Sequence, residues 1–350
     1  MVRAVPHRRR RALPVLVVTV ATLLSACSAD SGESSAETES STTASTNHAP
    51  YSPPPVAGDV NPLNGTPGVA PAEVFGVKID DTSAARPQMG ITAADIVYVE
   101  QVEGGLTRLL AVFGTTLPGQ VGPVRSVRAS DTQILAQYGP VGLAFSGGAP
   151  AQLAIVAGSN VVNGSGDVHP QFYRRAGGRA SPYNLMLDLP AMAAALPAAG
   201  GRSIGFLWGS YPGVAAAPSG VQLSVPVGTT GVEFRFDPAL GRYVRFINGA
   251  AQFDANGPAV TTANVIVMFC QVGPDGVGAD VNGSPTIGTT TVGTGPVAIF
   301  RDGRRIDGVW SRPTPEAGTA LTDAAGQVIR LAPGGAWVVL AASGAPLSSG

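Results

Sequence analysis

Short apolar runs alternate with dense turn signals from about residue 61 onward. Runs of β-branched and aromatic residues bounded by Gly, Asp or Pro are typical of strands. They predict strands in four segments of the first half, namely FGVKIDD, DIVYVEQVEGG, LTRLLAVFGTT and VGLAFSGG. Two helices are also predicted, one through TQILAQYG that Ser130 or Asp131 can cap, and one in PAMAAALPAAG. This half therefore indicates an α/β arrangement.

The pattern becomes almost purely β after about residue 209. VEFRFDPALGRYVRFI predicts a hairpin and ANVIVMFCQV a buried strand. VAIFRDGRRIDGVW predicts a second hairpin, since Asp302-Gly303 suits a tight turn with positive φ. AAGQVIRLAPGGAWVVL predicts a closing strand pair. The expected fold class is α/β with a β-rich C-terminal part.

Residues 1–26 have the pattern of a bacterial lipoprotein signal peptide. A basic segment, MVRAVPHRRRR, precedes the apolar run ALPVLVVTVATLLSA, and the segment ends in LSAC. This lipobox predicts cleavage before Cys27 and acylation of its thiol by palmitate-type chains. Each buried methylene contributes about 0.8 kcal/mol, so several chains would hold the protein at the extracytoplasmic face of the cell membrane. An ordinary secretory signal with an incidental cysteine is the alternative.

Residues 27–60 predict a disordered tether between the membrane and a folded body. They are rich in Ser, Thr and Glu and then in Pro, and such a stretch cannot bury enough apolar surface to offset its ordering entropy. The whole chain has a formal net charge of −1 at pH 7. A near-neutral body excludes nucleic acid as an expected partner, because binding to a phosphate backbone requires a basic surface.

Four segments of the body stand out by their order and spacing. They are RPQMGITAADIVYVEQVEGGLTRLLAVF, GPVRSVRASD, FYRRAGGRASPYNL and GPVAIFRDGRRIDGVWSR. Together they resemble the YerB-like bacterial lipoprotein family. The resemblance implies an N-terminal module over 61–208, built as a layered sheet-and-helix sandwich, and a C-terminal β-rich module over 209–350. It implies no reaction, since the function of this family is undetermined.

The chain departs from the family pattern at chemically informative positions. Relatives commonly carry two adjacent acids where this chain has Val99-Glu100. They also carry an acid and a histidine where this chain has Arg175 and Tyr183. An acid–base mechanism that used those side chains would therefore fail in this protein.

The body contains too few histidine, cysteine and lysine residues for several kinds of catalytic and metal-binding site. Of His7, His48 and His169, only the last falls in the body, and a zinc site cannot be assembled from it and Cys270 alone. Cys270 lies inside an apolar run, where a small buried side chain is expected. The single lysine, Lys78, lacks a serine at the spacing of penicillin-binding enzymes. The sequence predicts no metal and no cofactor.

Two weaker signals remain. GDVHPQFYRR places Asp167 and His169 in one loop, where the carboxylate could orient the histidine as a general base, although a capped loop histidine gives the same pattern. KIDD and NGSGD are rich in oxygen ligands that suit calcium, but ordinary turns have the same composition.

The segment GPVRSVRASD concentrates charge in a chain where only 13% of residues are charged. One interpretation is an internal clamp, in which Arg125 and Arg128 pair with Glu103, Asp95 or Asp131. The other is an open anion pocket that also includes Arg108, since guanidinium groups bind carboxylates and phosphates in bidentate fashion. We expect one arginine to be structural and Arg128, next to a helix N-terminus, to face the ligand.

The predicted ligand-binding residues are Arg108, Arg125, Arg128, Glu103, Asp131, His169 and Arg179, with Cys27 as the lipidation site. The predicted function is that of a membrane-anchored lipoprotein that binds or organises an anionic envelope ligand or another envelope protein. The alternative is an envelope hydrolase or transferase that uses Asp167, His169 and the arginines.

Overall fold

The computed structural model describes residues 60–280 and 283–350. Up to residue 208, the described chain forms short strands and three helices. The strands are β1 (Phe75–Asp80), β2 (Ile96–Gln101), β3 (Thr107–Phe113), β4 (Gly142–Ala144), β5 (Val162–Asn163), β6 (Tyr173–Arg175) and β7 (Leu185–Leu187), and the helices are α1 (Ala129–Ala136), α2 (Pro150–Gly158) and α3 (Leu189–Ala193).

The remainder of the described chain contains strands and one short 3₁₀ turn. The strands are β8 (Gln222–Val227), β9 (Thr230–Asp237), β10 (Arg242–Ile247), β11 (Ala250–Ala251), β12 (Thr261–Thr262), β13 (Asn264–Ala279), β14 (Pro285–Thr290), β15 (Gly293–Arg301), β16 (Arg304–Arg312), β17 (Ala320–Thr322), β18 (Ala336–Ala342) and β19 (Ser348–Ser349). The predicted hairpins β9–β10 and β15–β16 are confirmed. Asp302 and Gly303 both adopt positive φ in the second turn, as a tight primed turn requires.

Strands from both halves of the chain form one large mixed sheet. Within the described residues it has 11 strands in the order β17-β16-β15-β13-β18-β2-β3-β1-β4-β5, with β14 paired to β13. The halves meet where β18 runs parallel to β2, with Ala336 opposite Ile96 and Val338 opposite Tyr98. The predicted segments 61–208 and 209–350 therefore share backbone hydrogen bonds across the middle of this sheet.

Each face of the large sheet carries its own apolar core. Alternate residues of β2 show the division, because Ile96 and Tyr98 belong to one core and Val97 and Val99 to the other. Helix α1 packs on the first face, and the second face is covered by a sheet of order β11-β10-β9-β8-β19, with β12 paired to β10.

The predicted α/β class, and with it the layered sheet-and-helix sandwich, is wrong for this chain. The structure is mostly β, with 41% strand and 13% helix. The helices have only 8, 9 and 5 residues, and a second sheet occupies the face where a helical layer was expected. PAMAAALPAAG looks helical over its whole length, but α3 ends at Ala193, because Pro197 cannot continue a helix and restricts the residue before it.

A buried ion pair links the two halves away from their shared strands. Arg245 on β10 donates from Nη1 and Nη2 to the two carboxylate oxygens of Asp81, at 3.0 and 2.6 Å. Both side chains are essentially inaccessible, and the Arg245 guanidinium lies 4.8 Å from the centre of the Trp337 ring. Breaking such a pair leaves an uncompensated buried charge, which costs about 3–5 kcal/mol.

Strand β13 has 16 residues, and only its first half pairs with the central strands of the large sheet. Residues 264–270 pair with β18, whereas Gln271–Pro274 and Ala279 pair with β14 alone. The resulting β13–β14 arm reaches across α1, where the Thr291 amide donates to Gln133 Oε1 at 2.8 Å. The arm therefore overhangs the end of the sheet that carries the arginine segment.

No helix within 60–280 and 283–350 is both long enough and apolar enough to span a membrane.

Candidate functional site

The arginine segment runs between the end of β1 and the loop after β4. The Arg125 amide donates to the Lys78 carbonyl at 2.9 Å, and the Val127 amide donates to the Gly147 carbonyl at 3.1 Å. Helix α1 follows at once, and Asp131 accepts a hydrogen bond from the Arg128 amide at 2.6 Å. This backbone arrangement fixes where each arginine side chain begins.

Arg128 is the clamp. Its Nε donates to both oxygens of Glu103, at 2.8 and 3.0 Å, and its Nη2 also contacts that carboxylate. Both residues are less than a tenth exposed. The pKa of Glu103 is lowered, because the hydrogen bonds and charge of Arg128 outweigh the opposing effect of burial. The expectation that Arg128 is the ligand-facing arginine is therefore not supported by the geometry, since the Glu103 carboxylate and the Val127 carbonyl hold its guanidinium.

Arg125 is held more loosely. Its Nε lies 2.8 Å from Asp80 Oδ2, but this is an ion pair without hydrogen-bond alignment, since Nε has no hydrogen-bond partner in the described chain. The side chain is 24% exposed, and its guanidinium lies 5.7 Å from the centre of the Tyr183 ring. Arg125 is therefore the more accessible arginine of the segment.

Arg108 has no ion pair with any residue in the described ranges. It lies on β3 directly opposite Asp80 on β1 and Glu100 on β2. Asp80 pairs instead with Arg125, and Glu100 with Lys78. Among the described residues, the Arg108 guanidinium makes one hydrogen bond, from Nη1 to the Ser126 carbonyl at 3.1 Å.

The electrostatic surroundings of Arg108 favour an incoming anion. Burial, followed by the charges of Arg128 and Arg125, lowers the pKa of Arg108 to about 10. The group stays protonated at neutral pH, so a positive charge without a carboxylate partner points into a partly desolvated space. An anion bound there would compensate that charge.

All three arginines line one cavity of about 670 Å³. The start of α2 and the loop before it contribute Gly147, Gly148 and Gln152, and the β13–β14 arm contributes Asp280, Ser284 and Thr286. A cavity of this size matches those that bind small molecules.

A buried triad stands behind the arginine wall. Lys78 Nζ donates to Glu100 at 2.8 Å and to Asp131 at 2.6 Å, and Ser130 Oγ donates to Glu100 at 2.5 Å. Burial, together with the charge of Glu100, raises the pKa of Asp131 to about 7. Asp131 is fully buried and is not among the cavity residues, so its predicted place in the ligand site is not supported by the geometry.

The structure does not bring His169 or Arg179 into the cavity. His169 precedes the short 3₁₀ helix Pro170–Phe172, its ring stacks 6.0 Å from that of Phe172, and no hydrogen bond joins it to Asp167 in the described part of the chain. Arg179 donates to the carbonyls of Ala85 and Pro87, at 2.8 and 2.5 Å. Cys27 lies outside the described residues.

Sequence reasoning missed Asp80, Gln152 and Tyr183 as cavity residues. KIDD was considered as a calcium ligand set, but Asp80 pairs with Arg125 and Asp81 with Arg245. The start of α2, and with it Gln152, could have been predicted, because a proline in the first turn is common at helix N-termini. The signal for Tyr183 was its departure from the family pattern, since relatives commonly carry a histidine at this position.

Comparison with known proteins places the chain among uncharacterised relatives. Residues 63–202 match "Protein of unknown function (DUF3048) N-terminal domain", and residues 221–338 match the C-terminal domain of the same name. Over 52 residues, 15% of the chain, it is 48% identical to "Putative lipoprotein YerB" of Bacillus subtilis, and this match spans 16% of that relative. The crystal structure of the YerB protein from Bacillus subtilis superposes with a TM-score of 0.71 at 21% identity, covering 83% of this chain and 99% of that one. This likeness shows a shared fold.

Proposed function

Because the chain belongs to the YerB-like family of lipoproteins of unknown function, defined by the paired DUF3048 domains, we propose that it is a lipid-anchored envelope protein whose body binds an anionic ligand. The anchor would be Cys27, at the end of the lipobox, and residues 27–60 would be the tether. The body would stand at the extracytoplasmic face of the membrane.

One observation carries the binding proposal, namely that Arg108 lines a cavity without a carboxylate partner among the described residues. Arg125 and Arg128 in the same wall are matched by Asp80 and Glu103. Carboxylates of the folded chain therefore compensate the charges of Arg125 and Arg128, and the charge of Arg108 is left available to an anionic ligand. A protein that needed these arginines only for stability would be expected to pair Arg108 as well.

The test is a calorimetric titration of the full chain in detergent with inorganic phosphate and with citrate. We expect saturable binding of at least one anion by the wild type. Arg108→Gln should weaken it at least tenfold, since a hydrogen bond to a charged group contributes about 1.5–3 kcal/mol.

Arg304→Gln is the matched control. Arg304 is exposed on β16 and does not line the cavity, so its loss should leave the affinity unchanged. Absence of saturable binding by the wild type, or equal weakening in the two variants, would refute the proposal.

A further inference from the structure

The N-terminus of α2 forms part of the wall of the same cavity. This helix has nine residues, with Ala149 as its N-cap and Pro150 at its first position. The amides of Gly147 and Gly148 donate no hydrogen bond within the described chain. Free amides at the positive end of a helix dipole attract anions.

Gln152 supplies a second, independent indication of a ligand. It is fully buried and lines the cavity. Its Oε1 accepts the Ala149 amide at 3.3 Å, but its Nε2 has no acceptor in the described residues. Buried polar groups are almost always partnered, so a donor in this position indicates an acceptor supplied from the cavity.

The arginine segment is joined directly to the loop that precedes α2, so donors from both can contact one ligand group. Arg108 Nη1 bonds the Ser126 carbonyl at 3.1 Å, and Val127, the next residue, bonds the Gly147 carbonyl at 3.1 Å. A Cβ atom on Gly148 would lie 2.9 Å from Val127 Cγ1, which is too close for an ordinary contact. Glycine at this position therefore allows the loop before α2 to pack against the arginine segment. The guanidinium of Arg108 and the start of α2 therefore flank the same short stretch of backbone.

We propose that the ligand of this cavity is a phosphate monoester, whose phosphoryl oxygens are bound between Arg108 and the N-terminus of α2, with Gln152 Nε2 as an additional donor; this rests on the proposed function. A carboxylate presents its acceptor sites in one plane, whereas donors from a strand, a helix start and a side-chain amide approach from several directions and suit the tetrahedral oxygens of a phosphoryl group.

The rest of the cavity indicates what the phosphoryl group is attached to. A phosphoryl group fills only a small part of about 670 Å³. The remaining surface includes the hydroxyl-bearing side chains of Thr82 and Ser284 and the ring of Tyr183. Hydroxyl groups beside an aromatic ring suit a polyol or sugar body.

The experiment compares three probes at pH 7.5 in calorimetric titrations of the full chain, namely inorganic phosphate, glycerol 3-phosphate and succinate. We expect glycerol 3-phosphate to bind at least tenfold more tightly than succinate, which has a similar charge. Inorganic phosphate should lie between them if the polyol body contributes.

Two variants of Gln152 test its role. Gln152→Glu keeps the oxygen that caps Ala149 but replaces the donor by a charged acceptor, so it should abolish binding of phosphate monoesters. Gln152→Met removes the donor without adding charge and should reduce the preference for phosphate over succinate to less than threefold. Gln327→Met, at an exposed position outside this cavity, is the control and should retain the preference.

The outcomes separate this inference from the proposed function. Equal binding of succinate and glycerol 3-phosphate, still dependent on Arg108, would refute the phosphate inference and leave anion binding intact. An unchanged preference in both Gln152 variants, with native circular dichroism, would refute the role of Gln152. No binding of any probe by the wild type would refute both proposals.

Discussion

Three guanidinium groups share one cavity wall, but they differ in how their charges are compensated. Arg128 is held by a bidentate carboxylate, Arg125 by a partly solvated ion pair, and Arg108 by one carbonyl. The question of clamp or pocket therefore has a different answer for each residue. Side-chain type alone could not decide it, because all three carry the same chemical group.

Removing Arg128 should be far more destabilising than removing Arg125. Arg128→Met leaves Glu103 charged and buried without its partner, which should lower the free energy of unfolding by about 3–5 kcal/mol. Arg125→Gln affects a pair that is 24% exposed on the arginine side, and we expect a loss of no more than about 1 kcal/mol. Urea unfolding of both variants measures the difference.

The double variant Arg128→Met with Glu103→Gln is the control for this comparison. It removes the stranded charge and should recover at least half of the lost stability. Equal losses in the two single variants would contradict the assignment of Arg128 as the clamp.

At the scale of elements, the first turn of α1 sits on a charge triad with two carboxylates and one ammonium group. Lys78 cannot compensate both Glu100 and Asp131, and burial makes the second negative charge costly. The pKa of Asp131 is accordingly raised from 3.8 to about 7, while that of Glu100 is lowered. The start of the helix thus retains a proton that the unfolded chain would release.

The stability that the Asp131 proton contributes should therefore be lost as pH rises from about 4 to about 7. In this window the unfolded chain has lost the Asp131 proton and the folded chain still holds it, so folding is favoured at the acidic end. Asp131→Asn should remove this dependence, which amounts to roughly 2–4 kcal/mol across the window. Unfolding in urea at pH 4.5, 6 and 7.5 measures it.

Asp188→Asn is a suitable control, because Asp188 is half-buried at the start of α3 and caps Ala191 without a neighbouring carboxylate. Its pH dependence should match that of the wild type. A wild type that gains stability between pH 4.5 and 7.5 relative to Asp131→Asn would contradict the shift.

At the scale of the whole molecule, local patterns predicted strands better than they predicted the sheet. The segment FGVKIDD becomes β1 and the two hairpins form where alternation and turn residues placed them. The insertion of β18 between β13 and β2 depends on parallel pairing of distant segments, for which no local pattern exists.

Contacts between distant segments also determine the candidate site, and local sequence patterns do not predict them. The sequence predicts that His169 and Arg179 join Arg125 and Arg128, but in the structure the His169 ring stacks on Phe172 and Arg179 donates to backbone carbonyls outside the cavity. The solitary state of Arg108 follows from cross-strand register, since both opposite carboxylates are bound elsewhere. Register is a property of the folded sheet, so composition and spacing could not reveal it.

Attachment of the whole molecule to the membrane is expected to depend on Cys27. Cys27→Ala should abolish incorporation of labelled palmitate and block cleavage of the signal peptide, because it removes the acceptor thiol on which lipoprotein processing depends. Cys270→Ala is the control, since that thiol is buried and cannot be reached in the folded body. Undiminished labelling of Cys27→Ala would refute the anchor.

The central place of β18 bears on how the protein is made. Among the described strands of the large sheet, β18 is the last to be synthesised, yet it fills the gap between β13 and β2. Until residues 336–342 leave the ribosome, both neighbours keep open edges, and nucleation must wait for contacts between the ends of the chain. The large sheet therefore stays open through most of translation, and a partly synthesised chain cannot yet adopt the fold.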